Sequence, residues 1–276
     1  MTNILDSVRD HYSSAGLTER LKKALTTLGP EEQRLTPQQL AGFDQFHARG
    51  LAATTELAKL AGITADMSVL DIGSGIGGPA RLLAATCGCR VTGIDLSEPF
   101  VDAAHYLTER TGQGGQVSFQ TASALELPFD EGRFDGALLQ HVAMNIFDRP
   151  RLYREIHRVL KSGGKFATFD VVSNGGAPHY PVPWAQTPAT SFLLTAAETR
   201  EVVEQAGFRT LAWQDDTEAA KAWIIQLRPS GPLPSPNLSV LMGPDFAPFF
   251  TNLGRNLMEG RLGILTAVFE AMTTNA

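Results

Sequence analysis

The segment VLDIGSGIGG places Asp71 two residues ahead of a glycine run at Gly73, Gly75, Gly77 and Gly78. A short apolar run that ends in such a turn and opens a helix lets backbone approach a ligand closely and offers it free amides. Gly73, Gly75 and Gly78 fit the dinucleotide spacing, and Asp95 ends the next apolar run, where ribose hydroxyls are bound. Two cofactor classes compete for the turn. A nicotinamide dinucleotide lays its pyrophosphate over the glycines, where the Asp71 carboxylate would repel it. A ligand with an ammonium, a sulfonium and no phosphate suits that carboxylate, which describes S-adenosyl-L-methionine (SAM). An aspartate that merely anchors the turn's amides is the bland alternative.

Other reactive side chains lie further along. His141, in LLQHVAMN, closes a fourth apolar run and is the first candidate for a proton acceptor or substrate contact; a histidine satisfied by a backbone carbonyl is the competing reading. Tyr12 is a second candidate, unless it only packs between helices. His47 and Arg49 sit in QFHARG; on a helix Gln45 and Arg49 share a face, and Arg49 suits a carboxylate on substrate or cofactor. His179, Tyr180 and Trp184 lie in a Pro- and Gly-rich stretch where aromatic faces can cap a cation. Trp213 and Trp223 read as packing, and Phe246, Phe249 and Phe250 as a second cover or a dimer contact. Cys87 and Cys89 are too close and too few for a disulfide framework or a zinc site. The acidic pairs Glu31-Glu32 and Asp215-Asp216 read as solvated turns.

These residues need a frame. Leu17, Leu21 and Leu25 recur at helical spacing, a Gly29-Pro30 break follows, and the helical period resumes over 36–60 before Gly62 closes it. From Ser68 the pattern alternates: SVLDI, CRVTGIDL, QVSFQTA, RFDGALLQ and GKFATFDVV read as strands, with helical runs between them. That order predicts right-handed crossovers and a parallel, doubly wound α/β sheet. The expected division is a helical cap at 1–62, a core at 63–173, a lid at 174–197 and a remainder at 198–276 with a helical insertion at about 216–258.

The 276 residues suit one large domain or two small ones at ~150 residues each. Hydrophobic residues make up 43% and charged residues 19%, which excludes disordered and collagen-like classes. A net charge of −6 leaves no electrostatic footprint for nucleic acid or anionic lipid. MTNILDSVRDHY carries acids where a secretion signal needs a basic stretch, and no run is apolar enough to span a membrane. The expected setting is cytoplasmic, and the expected partner a small molecule, with a homodimer open.

VLDIGSGIGG, GIDLS, ALELPFDEGRFDGALLQHV and LKSGGKF together resemble the motifs of the class I SAM-dependent methyltransferases, over about residues 44–207. DQFHARGLAATTELA, PVPWA and SFLLTAAETREVVEQAGF are similar to the small-molecule branch that includes sarcosine/dimethylglycine N-methyltransferases. The resemblance implies a Rossmann-like sheet of seven strands, the last antiparallel. It implies that Gly73, Gly75 and Gly77 lie under SAM, that Asp71 and Gln140 hold its methionyl end and that Asp95 binds both ribose hydroxyls. Leu96 and Leu125 would meet the adenine, and Ser123 stands where the family usually has an aspartate. The product would be S-adenosyl-L-homocysteine, no metal is required, and the expected acceptor is an amine nitrogen. An O- or C-methyltransferase of a specialised metabolite is the alternative. A nicotinamide-dependent oxidoreductase and a non-catalytic SAM-binding protein are the remaining readings.

Overall fold

The structure, a computed structural model, describes residues 2–12, 16–226, 236–243 and 246–273. Four helices come first: α1 (Thr2–Tyr12), α2 (Leu17–Leu25), α3 (Pro37–Asp44) and α4 (Gly50–Ala61). Thr36 starts α3 with a capping box, its hydroxyl accepting from the Gln39 amide while the Gln39 side chain accepts from the Thr36 amide. The helical period expected through 36–60 is broken. Residues 45–49 leave the helix and Arg49 turns into the left-handed region at φ 63°, so Gln45 and Arg49 share no helical face.

The remaining elements are β1 (Ser68–Ile72), α5 (Gly78–Cys87), β2 (Arg90–Asp95), α6 (Glu98–Thr111), β3 (Val117–Thr121), β4 (Phe134–Gln140), α7 (Arg149–Val159), β5 (Leu160–Ser173), α8 (Ala196–Gln205), β6 (Phe208–Asp215), α9 (Thr217–Gln226), α10 (Ser239–Met242), α11 (Ala247–Met258) and β7 (Leu262–Ala271). Part of the expected 216–258 insertion, at 227–235 and 244–245, lies outside the described residues. The sheet order is β3-β2-β1-β4-β5-β7-β6, with β7 antiparallel to both neighbours and the other six strands running one way. Strand five begins at Leu160, ahead of the expected Gly164. Its pairing with β4 skips from Leu160 to Lys165 across a bulge, where Gly163 takes φ 77°.

Strand alternation sorts the core. Val69 and Leu138 bury into the layer of α4 and α5, while Leu70, Ile72 and Leu139 bury into the layer of α7 and α8. Asp71 pairs in register with Leu138, so Asp71 and Gln140 project from the same face. A third cluster packs Leu17, Leu21, Leu25, Leu40 and Phe43 of the N-terminal helices onto Phe100, Ala103 and Leu107 of α6. The order of strands reverses between β1 and β4, and in doubly wound sheets ligands bind beyond the carboxyl ends of the strands at such a switch.

Candidate active site

A cavity of about 350 Å³ opens at that switch. Its floor is the glycine turn. Gly73 and Gly75 take φ 70° and 53° and line the cavity with Ser74. Gly77 does not: a Cβ there would meet Phe119 Cζ at 2.4 Å, so this glycine faces the interior and lets α5 close on the sheet. Its expected place beneath a ligand is therefore corrected to a packing role. Gly78 admits the Asp44 carbonyl, 1.9 Å from where a Cβ would stand, which brings the α3–α4 loop onto the turn.

Asp95 grips the turn from β2. One carboxylate oxygen accepts from the Gly75 amide at 2.9 Å and the other from the Ser97 amide at 2.9 Å, and each keeps a further lone pair. Burial nevertheless pushes its pKa up. Asp71 is 2% exposed, and burial, with Asp95 close by, raises its pKa to about 7 against the smaller pull of the Ala80 amide and Arg81. Leu96, Ser123 and Leu125 line the same end, where the Ser123 hydroxyl accepts from the Leu125 amide at 3.2 Å.

His141 follows β4 at φ 53°, a left-handed conformation that few non-glycine residues adopt. The turn is held from behind: Asp170 accepts from the Ala143 and Val171 amides at 2.9 Å each, and its own burial lifts its pKa to about 6. The His141 ring stacks on Phe169 at 5.2 Å and 10°. Burial and nearby His47 hold its pKa well below the ordinary imidazole value, so it is neutral. The buried polar side-chain atoms with no partner include Asp71 Oδ2, Ser74 Oγ, Gln140 Nε2 and His141 Nε2, all on residues of this cavity. Such groups are costly unless a ligand satisfies them.

The far wall is apolar and aromatic, built from α1, the 44–48 loop, the loop between β4 and α7, the 183–184 loop, α9 and α11, with Leu5, Phe46, Phe147, Trp184, Trp223 and Phe250. Tyr12 closes it. Asn145 donates its amide to the Trp184 and Thr190 carbonyls, at 2.8 and 3.0 Å, so its oxygen must accept from the Tyr12 hydroxyl at 2.8 Å. With that proton committed and its pKa raised by burial, Tyr12 latches the cap and is no proton acceptor. His47 lines the cavity, buried.

Several expected contacts fall elsewhere. Arg49 pairs with Glu56 at 2.6 Å and Asp216 at 3.5 Å, off the cavity, since the turn at 45–49 swings it outward. That also corrects Asp216, which accepts from Thr266 as well and is no solvated turn. His179 pairs with Glu259 at 2.8 Å on the outer side, and Tyr180 packs into the core layer of α4 and α5. The 174–197 stretch reaches the cavity through Pro183 and Trp184, joined by Trp223 and Phe250, which had read as packing or cover. Asp44, Asn145 and Asp170 gave no sequence signal, because isolated polar residues carry none until the fold gathers them.

Charge discriminates between ligands. Among the described residues the cavity lining holds no lysine or arginine, and no group of three metal-ligating side chains exists. A diphosphate would find carboxylates and no counter-charge. A phosphate-free cation with hydroxyls and an ammonium would satisfy Asp71 and Asp95.

Comparison with known proteins agrees. Residues 70–168 match a family model described as a methyltransferase domain. Methyltransferase GfsG of Streptomyces halstedii is 30% identical over 208 residues, covering 73% of this chain and 72% of that protein. O-methyltransferase resE of Aspergillus sclerotiorum is 33% identical over 170 residues, or 59% of this chain; the match spans 62% of the relative. A solved geranyl diphosphate C-methyltransferase from Streptomyces coelicolor A3(2) superposes with a TM-score of 0.72 at 16% identity, covering 98% of each chain. With the matched domain, the relative similar over most of its length and the seven-stranded sheet around a phosphate-averse glycine turn, the chain belongs to the class I SAM-dependent methyltransferases.

Proposed function

We propose that the protein transfers the methyl group of SAM to a hydroxyl oxygen of an uncharged, largely apolar small molecule. One observation carries the reading: a single cavity joins the carboxylate-bearing glycine turn to a neutral His141 whose Nε2 has no partner. SAM, when bound, supplies a methyl already activated on a sulfonium, so the protein has mainly to align the acceptor and exclude water. Asp95 takes the ribose hydroxyls with its spare lone pairs. Asp71 and Gln140 take the α-ammonium, and Leu96, Ser123 and Leu125 take the adenine.

His141 Nε2 accepts the hydrogen bond of the acceptor hydroxyl, which orients an oxygen lone pair toward the methyl. As the carbon–oxygen bond forms and the carbon–sulfur bond breaks, that proton passes to Nε2. A protonated amine, expected from the N-methyltransferase resemblance, would need a counter-charge on the acceptor side. Asp71 and Asp95 sit at the other end, and Asp44 is committed to Arg81. A second cavity of about 430 Å³ shares Tyr12, Phe46, Phe100, Pro183 and Leu241 with the first, and gives a longer acceptor room for a polar tail beside Gln186 and Ser239.

Methyl-labelled SAM, offered with a panel of phenols, aliphatic alcohols and amines, tests the proposal. Label should appear on oxygen. His141→Ala should lower kcat by about 10²–10³ while calorimetry shows S-adenosylhomocysteine affinity within about twofold of wild type. Label on nitrogen with full activity in His141→Ala, or retention of a nicotinamide dinucleotide in place of SAM, overturns it.

A further inference from the structure

Beside the cavity, the buried Thr54 of α4 joins three polar side chains. It is 0% exposed, and its neighbours Gln45, His47 and Gln140 are 5%, 7% and 7% exposed. Thr54 Oγ1 lies 3.0 Å from His47 Nε2, 3.2 Å from Gln140 Oε1 and 3.3 Å from Gln45 Oε1, and His47 Nε2 lies 3.3 Å from that same Gln45 oxygen. Donor and acceptor counting fixes the protons. His47 Nδ1 faces the Ala48 carbonyl at 3.0 Å, and a carbonyl only accepts, so Nδ1 carries the hydrogen. Burial holds the His47 pKa at about 4, so the ring is neutral and Nε2 is an acceptor.

The single Thr54 hydroxyl proton therefore goes to His47 Nε2, its shortest contact. Thr54 then has only lone pairs left for Gln140, whose Oε1 faces it in the structure, so this proton assignment calls for the Gln140 head turned about, amide nitrogen at Thr54 and oxygen away. This orientation also gives a partner to the Gln140 nitrogen, otherwise buried with none. Gln45 cannot turn in the same way, because its amide nitrogen donates to the Asp44 carboxylate at 3.3 Å; its oxygen, 3.3 Å from both Thr54 Oγ1 and His47 Nε2, goes without a donor in this arrangement. What faces the cavity is an acceptor, on the same sheet face as the unpartnered Asp71 oxygen.

We propose that Thr54, oriented by His47, is a positioning residue that sets the polarity of Gln140, turning its carbonyl oxygen toward the α-ammonium of the cofactor. The inference rests on the placement of that ammonium at Asp71 and Gln140. Without the Thr54 oxygen, nothing prevents the Gln140 amide from presenting its own N–H groups to a like-charged donor.

Calorimetry with two probes tests this. S-adenosylhomocysteine carries the α-ammonium; 5′-methylthioadenosine lacks the whole amino-acid part. Thr54→Val should weaken S-adenosylhomocysteine roughly tenfold, as expected for one charge-assisted hydrogen bond, and leave 5′-methylthioadenosine unchanged. Thr54→Ser should restore wild-type affinity, and in a Gln140→Leu background Thr54→Val should have no further effect. Equal weakening of both probes marks a merely structural residue and overturns the proposal, as does unchanged affinity for both. Wild-type protein that binds neither probe would instead sink the functional reading itself.

Discussion

Asp71 shows how a single residue can oppose stability and serve binding. Burial and Asp95 raise its pKa to about 7 from an unfolded value near 3.9. A group whose folded pKa is raised contributes stability that is present below the unfolded value and is lost as pH climbs through the folded one. The ligand-free protein therefore weakens between about pH 4 and 7 at this residue, and Asp170, with a folded pKa of about 6, adds to the same trend. Asp71→Asn should match wild type at pH 4 and be more stable at pH 8 by about 2–4 kcal/mol, read by denaturant unfolding at the two pH values. The same substitution should cut S-adenosylhomocysteine affinity at pH 8, because an amide provides no charge for the ammonium. A gap between the two proteins no wider at pH 8 than at pH 4 would contradict this account.

At the scale of the element, the strand–turn–helix unit of β1 and α5 uses neighbouring glycines for different ends. Gly75 has nothing within 4 Å of a would-be Cβ, only the positive φ of 53°. Gly77 combines φ 82° with a clash against Phe119 and Arg81. Gly75→Ala should thus cost about 1–2 kcal/mol of stability and lose cofactor affinity through its methyl in the cradle. Gly77→Ala should cost at least about 3 kcal/mol, because ring and guanidinium must move within the core. Thermal unfolding with and without S-adenosylhomocysteine separates the two; a Gly77→Ala protein as stable as Gly75→Ala would refute the division.

For the whole molecule, the N-terminal helices and the sheet are one working unit. Asp44 at the end of α3 and Arg81 of α5 form an ion pair of 2.9 Å with both side chains fully buried. Tyr12 and Asn145 tie α1 to the loop after β4 in the same way. Removing one partner of a buried pair strands the other charge, so Asp44→Ala should lose about 3–5 kcal/mol. Replacing both, Asp44→Leu with Arg81→Met, should recover most of that loss, since apolar side chains of similar volume avoid the desolvation cost. Urea titration of the three proteins is the check; a double variant as weak as Asp44→Ala would show that the pair contributes more than its own neutralisation.

The local order of the chain settled the frame: alternating strand and helix patterns announced the doubly wound sheet, and the glycine turn with Asp71 and Asp95 announced the cofactor end. Those signals are short-range, carried by residues within one strand–turn–helix step, so they can be seen without the fold. At the acceptor end His141 and Trp184 stood out in the chain, and folding decided the rest. Arg49 and Gln45 seemed neighbours on one helix until the turn at 45–49 parted them, and Gly77 looked like its sister glycines until Phe119 came across from β3. Thr54, Asn145, Asp170 and Trp223 acquire their meaning from partners dozens of residues away. Periodicity reports which face of an element is apolar, but hydrogen-bond partnership and burial are set by the packing of elements distant in sequence.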